Sequence, residues 1–298
     1  MKPTPNITLP LVQKLIKKQF PEFSELSIHP VKVQGHDNRS FRLGNDMLIR
    51  MPTAEAYALK VPKEQKILPQ IAPHLTVAIP VPLRIGKPSD AYPFHFSIYQ
   101  WLDGESANNI HIDPKNKESL APALASFLKE LQRIDPKDGP TPGQHNWWRG
   151  DHVSVYDQQA RNQIAELKAI IDSDSALALW ENAISSRWCK NPVWVHGDFA
   201  IGNILINEGT LSGIIDFGGI GVGDPACDLV ISWAFLEGRS REIFHDYMEL
   251  DTDTWTRARG WALWKATFEL CNREDKNDQE SIKQKHIIED ILSEPSSS

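Results

Sequence analysis

Two short segments hold the residues best suited to chemistry: His196-Gly197-Asp198-Phe199-Ala200-Ile201-Gly202-Asn203, and the following Asp216-Phe217-Gly218. Together they offer two carboxylates, Asp198 and Asp216, and one carboxamide, Asn203. Phosphoryl transfer needs such a set: a carboxylate that orients an attacking hydroxyl and accepts its proton, and oxygen ligands for magnesium on the terminal phosphates. Magnesium keeps several waters and takes few protein ligands, so one Asp and one Asn suffice. Taken singly, each of these residues is also a common turn or cap residue. The ordered set, not any one member, carries the reading.

The elements around these residues follow from local pattern. Val193-Trp194-Val195 reads as a short buried strand, Gly197 and Gly202 bracket a polar loop, and Asn203-Ile204-Leu205-Ile206 resumes a strand. After a turn at Glu208-Gly209, residues 211–215 form a second strand that delivers Asp216. The spacing therefore predicts that the two carboxylates and the carboxamide converge.

Upstream, apolar residues at Leu11, Val12, Leu15, Ile16 and Phe20, behind a cap at Thr8, predict an amphipathic helix. Short alternating runs at Val31-Lys32-Val33, Ser40-Phe41-Arg42-Leu43 and Met47-Leu48-Ile49 predict an antiparallel meander, with turns at Gly35 and Gly44-Asn45-Asp46. A helical segment at 64–71 and a strand-like run at 94–101 complete a β-rich part. Beyond Asp103-Gly104 the apolar period becomes helical, as in Leu120, Leu124, Phe127, Leu128, Leu131 and Ile134. A Pro- and Gly-rich excursion at 136–150 ends in Asn146-Trp147-Trp148-Arg149-Gly150, and a short Ser-rich tail closes the chain at 294–298. The boundary near residue 102 gives two domains, 1–102 and 103–298.

Composition excludes several classes. With 298 residues, 41% hydrophobic and 24% charged, the chain can bury a large core. A net charge of -7 argues against a general nucleic-acid binder and suits a cationic small-molecule partner. Three scattered cysteines without a C-x-x-C pair suggest neither a disulfide framework nor a zinc site. Pro3, Pro5 and Asn6 interrupt any signal-like run, and no later stretch is apolar enough for a membrane span, so the expectation is a cytoplasmic protein; a monomer is the expected state.

The D-x-x-x-x-N spacing followed by D-F-G equals that of protein-kinase catalytic and metal loops, with His196-Gly197-Asp198 in place of H-R-D. The whole block from Val193 to Leu229, with H-G-D-F-A-I-G-N-I-L-I-N, I-I-D-F-G and G-D-P-A-C-D-L, resembles the aminoglycoside phosphotransferase family. That resemblance implies an α+β, two-lobed, protein-kinase-like fold, with a small N-terminal antiparallel sheet lobe plus helix and a larger, mainly helical C-terminal lobe. It implies Asp198 as catalytic base, Asn203 and Asp216 as magnesium ligands, His196 as a loop-orienting residue, and Asp224 and Asp228 as braces of the loop.

For the nucleotide, ATP or GTP as phosphoryl donor, the resemblance implies a polar loop at Gly35, Asn38 and Ser40 and a basic side chain on the third strand paired with a helix glutamate. Those positions are Arg50, where better-known family members carry lysine, and Glu64. Lys60 and Lys63, beside Pro62, read as a turn on a solvated face. The base would meet backbone groups at Tyr99, Gln100 and Trp101. The acceptor implied is a hydroxylated, cationic small molecule held by carboxylates from the acidic segment 237–275, which contains Glu237, Glu242, Asp246, Glu249, Asp251, Asp253, Glu269, Glu274 and Asp275. A metabolic kinase acting on an amino alcohol or sugar would share the same catalytic residues, and a weakly active nucleotide-binding pseudokinase is the reading that Arg50 keeps open. The lack of a G-x-G-x-x-G loop and of an A-P-E segment argues against a protein kinase.

Overall fold

The computed structural model describes residues 5–32, 34, 35 and 37–294. The sequence readings at Val33, at His36 and at the tail from Pro295 onward lie outside the described residues. The chain divides into two compact units: Met1–Gly104 with Ser212–Gly218, and Glu105–Leu211 with Gly219–Ser298.

In the first unit, α1 (Leu9–Gln19) carries Val12, Leu15 and Ile16 on its buried stripe, and Thr8 occupies its N-cap position without a side-chain bond. The helix lies in the same core as the sheet strands β1 (Ile28–Pro30), β2 (Asn38–Leu43), β3 (Met47–Pro52), β4 (Pro82–Gly86) and β5 (Phe96–Gln100). Their order is β1-β2-β3-β5-β4, with every neighbour antiparallel. The first strand is thus Ile28–Pro30, and Val31 and Lys32 lie beyond its end. Pairing Ile28 with Leu43 places both side chains in the core, which Lys32 could not share.

Alternation along β3 decides where its chemistry points. Ile49 and Met51 face the core with α1, so Arg50 faces the other side of the sheet. That side also carries α3 (Lys60–Ile71), which follows the single turn α2 (Glu55–Ala58). On α3 the buried stripe is Val61, Glu64, Leu68 and Ile71, so helical spacing turns Glu64 inward with the apolar residues.

The second unit begins with β6 (Glu105–Ser106), which pairs with β8 (Ile204–Asn207). Its helices are α4 (Pro114–Arg133), α5 (Asp157–Glu166) and α6 (Ser173–Ser185), followed by the strand β7 (Val193–Val195). Through β9 (Thr210–Ile214) the chain passes into the first unit, and it returns at β10 (Gly221–Gly223), which pairs antiparallel with β7. The rest is helical: α7 (Ile231–Ala234), α8 (Gly238–Met248), α9 (Thr252–Cys271) and α10 (Gln279–Ser293). Aspartates start four of these helices, Asp113, Asp172, Asp251 and Asp278, each accepting a backbone N–H three residues on. Helix α9 is the centre of the unit, buried on nearly every face through Trp255, Ala258, Trp261, Leu263, Ala266 and Leu270.

Candidate active site

In the first unit the structure gathers Arg50, Glu64, Tyr99, Asn38 and Asp216. The Arg50 guanidinium lies 2.7 Å from Asp216 and 3.7 Å from Glu64. With the Asn38 carboxamide oxygen turned toward it, the same guanidinium donates two further bonds, at 3.1 and 3.2 Å. Tyr99 donates its hydroxyl to Glu64 in a short bond, and both residues are almost fully buried. Burial opposes the charge on Arg50, but the carboxylates of Asp216 and Glu64 and the Tyr99 oxygen outweigh it and hold the guanidinium above its ordinary range. Asp216 itself has φ of 63°, a left-handed backbone that Asp tolerates better than most residues. That turn after β9 is what aims its carboxylate at Arg50.

Lys60 and Lys63 belong to this cluster, which corrects the turn expected from Pro62. Proline needs no N–H partner in a first helical turn, so the helix starts at Lys60 and runs through it. Lys60 is buried and bonds Asp37 at 2.7 Å, and its side chain flanks Gly218, where a Cβ would meet Lys60 Cδ at 2.8 Å. Lys63 donates to the Gly218 carbonyl at 2.8 Å. Burial lowers the Lys63 ammonium to about 8, with Glu64 opposing and Lys60 adding to the effect. Both lysines thus grip the Asp216-Phe217-Gly218 turn.

In the second unit the loop after β7 is pinned from behind. Asp228 accepts the backbone N–H groups of His196 at 2.7 Å and Gly197 at 2.8 Å. Burial raises its carboxyl to about 7, against the pull of those two N–H bonds. Gly197 has φ of 79°, and a Cβ there would sit 2.1 Å from the Gly219 carbonyl oxygen, so only glycine fits. His196 is fully buried and its Nδ1 accepts the Asp198 N–H at 3.2 Å, which makes Nδ1 the unprotonated nitrogen. Phe199 stacks on Phe127 of α4 with centroids 5.7 Å apart. These contacts fix the backbone on both sides of Asp198 while its side chain stays 44% exposed.

Asn203 and Lys265 both reach the Asp198 carboxylate. Asn203 donates its amide to the Asp198 carbonyl at 2.9 Å and to Oδ2 at 3.2 Å, closing the loop. Lys265, on α9, lies 3.1 Å from Oδ1. Sequence reasoning missed Lys265, because nothing in the local pattern of α9 marks the residue that meets this loop.

Other expected residues go elsewhere. Asp224 caps the turn Pro225–Asp228 through Ala226 N and forms a buried pair with Arg257 at 2.6 Å, so it does not bond the Asp198 loop directly. Ser40 lies in β2 opposite Arg50, and a Cβ on Gly35 would meet open space. In the strand that carries Tyr99, Gln100 and Trp101, the Gln100 and Trp101 N–H groups go to Val81 O at 2.9 Å and Asp46 O at 2.7 Å. Four carboxylates of the acidic segment are paired: Glu237 with Lys117, Glu242 with Arg239, Glu249 with Lys129, and Asp251 with Lys190.

Kinase-like phosphotransferases divide their duties between a sheet that holds a basic side chain against a helix glutamate and a helical part that carries the catalytic Asp. This fold falls in that class. The family model of the phosphotransferase enzyme family matches residues 28–261, and the chain belongs to that family. An aminoglycoside 3'-phosphotransferase of Escherichia coli is 27% identical over 147 residues, covering 45% of this chain and 51% of the relative. The chain thus spans about half the length of the curated relatives it matches. Among solved structures, the GDP and kanamycin complex of APH(2")-IIia is similar at a TM-score of 0.71 and 22% identity, over 94% of this chain and 97% of that one. Macrolide 2'-phosphotransferase MphH from Brachybacterium faecium is similar at 0.61 and 17% identity, over 97% and 99% of the two chains.

Proposed function

We propose that this chain transfers the γ-phosphoryl group of ATP or GTP to a hydroxyl of an aminoglycoside-like small molecule. The observation that carries the reading is Asp198: a partly exposed carboxylate on a backbone locked by Asp228, Gly197, Phe199 and Asn203. Such rigidity serves a group that must meet a hydroxyl within hydrogen-bond reach. The acceptor O–H gives its proton to Asp198 as the new O–P bond forms. The bond from the γ-phosphorus to its bridging oxygen breaks, and the nucleoside diphosphate leaves with that electron pair.

In the first unit, Arg50 with Lys60 and Lys63 provides the cations for the nucleotide phosphates, and Asn38 and Ser40 add polar groups beside Arg50. The Asn203 carboxamide and the Asp216 carboxylate are hard oxygen donors of the kind magnesium accepts, and Asn203 bonds Asp198 through its nitrogen, so its oxygen stays available to a cation. Donors of this kind would hold magnesium, which would supply positive charge against the terminal phosphates. The acidic composition suits a cytoplasmic enzyme with a cationic substrate and no nucleic-acid partner. Among the described residues, no helix is long and apolar enough to cross a membrane.

The test is a coupled nucleotide-consumption assay with ATP and GTP across aminoglycosides, macrolides and amino alcohols. At least one acceptor should raise consumption well above background, and Asp198→Asn should lose about 100-fold or more in kcat with nucleotide affinity retained. An Asp198→Asn variant with near-normal turnover would remove Asp198 from the reaction.

A further inference from the structure

We propose that Lys60 is a positioning residue that ties the loop at 35–38 to the turn at 216–218, so that nucleotide and magnesium strengthen each other's binding through it. The inference rests on the phosphotransferase reading and deepens it: the loop is where phosphates would lie, and Asp216 is the carboxylate that would hold the metal. Both ends of the link belong to the first unit. At one end the Lys60 ammonium lies 2.7 Å from Asp37 Oδ2. The Asp37 carbonyl in turn accepts the Thr53 N–H at 2.9 Å and the Thr53 hydroxyl at 3.0 Å. Asp37 is thereby fixed through its backbone to the chain just after β3, and through its carboxylate to α3.

At the other end the Lys60 stem passes along Gly218. A Cβ on that glycine would stand 2.8 Å from Lys60 Cδ, 3.3 Å from Lys60 Nζ and 3.4 Å from Asp216 Oδ1. The ammonium and the Asp216 carboxylate thus flank one glycine. Lys63, one turn further along α3, donates to the Gly218 carbonyl at 2.8 Å and keeps the turn against the helix. Lys60 itself is held: its side chain is 10% exposed, and its ammonium lies 5.1 Å from the centroid of the Tyr57 ring. A lysine so enclosed has already lost its rotamer freedom, so a shift of the loop is passed to the turn. Asp37 offsets the charge of Lys60, so the pair adds position more than net attraction for phosphate. Phosphates on the loop then order the turn that presents Asp216, and a metal on Asp216 orders the loop.

The experiment titrates ADP and GDP calorimetrically into wild type, Lys60→Met, Asp37→Ala, the double variant and Lys60→Arg, each with magnesium and with EDTA. The quantity read is the coupling, the factor by which magnesium tightens the nucleotide. Lys60→Met and Asp37→Ala should each lower the coupling about tenfold, the double variant should lose no more than either, and Lys60→Arg should keep most of it. The two single variants change the local charge in opposite directions, so a purely electrostatic role would move nucleotide affinity in opposite directions. A merely structural role would lower affinity equally with and without magnesium. An unchanged coupling, opposite shifts in the two variants, or losses that add in the double variant overturns the link and leaves the phosphotransferase reading standing. Wild type that binds neither nucleotide overturns that reading, and this inference with it.

Discussion

Arg50 uses the full width of its guanidinium: Asp216 on one edge, Glu64 near another, and Asn38 across two nitrogens. A lysine has the charge but not the planar fork, so it can satisfy one of these partners well and not all three. Arg50→Lys should therefore cost about 1–2 kcal/mol of stability, one or two charged hydrogen bonds' worth, and still bind nucleotide. Urea unfolding alongside nucleotide titration checks both halves, and a variant as stable as wild type would show that the fork is not used. The family resemblance made Arg50 and Glu64 legible in the sequence, and alternation on β3 with the stripe on α3 brings the two side chains together. Lys60 and Lys63 were not, because Pro62 is equally at home in a turn and in the first turn of a helix.

At the scale of elements, the loop from His196 to Asn203 holds its shape through a residue from outside it. Asp228 accepts two backbone N–H groups with two carboxylate oxygens. Asp228→Asn leaves one acceptor and turns an NH2 group toward a donor, so a buried N–H goes unpaired at a cost of about 2 kcal/mol. Because that N–H belongs to the backbone next to Asp198, kcat should fall further than nucleotide affinity. Steady-state kinetics and nucleotide titration on the one variant check this, and a drop in affinity alone would place Asp228 outside the loop's function. The sequence block around Asp198 showed which residues belong together, since strand, glycine loop and strand are local patterns. It could not show Lys265, because α9 is buried on nearly every face and its periodicity does not say which residue meets a loop far away in sequence.

For the whole molecule, Asp228 and Lys63 together give stability a distinctive dependence on pH. Burial lifts Asp228 from its ordinary 3.8 to about 7, so across that window the folded chain keeps a proton that the unfolded chain has released. Raising the pH there lowers stability. Burial lowers Lys63 from 10.5 to about 8, so across that second window the unfolded chain keeps a proton that the folded chain has released. Raising the pH there restores stability. The two groups thus leave their least favourable contribution between about pH 7 and pH 8, where Asp228 is ionised and Lys63 is still largely charged. Urea midpoints for wild type, Asp228→Asn and Lys63→Met near pH 5, about 7.5 and about 9.5 isolate each part. Relative to wild type, Asp228→Asn should lose the fall between the first two points, and Lys63→Met should lose the rise between the last two. If the three proteins keep parallel profiles, neither buried group governs the pH response, and its source lies in the exposed ion pairs.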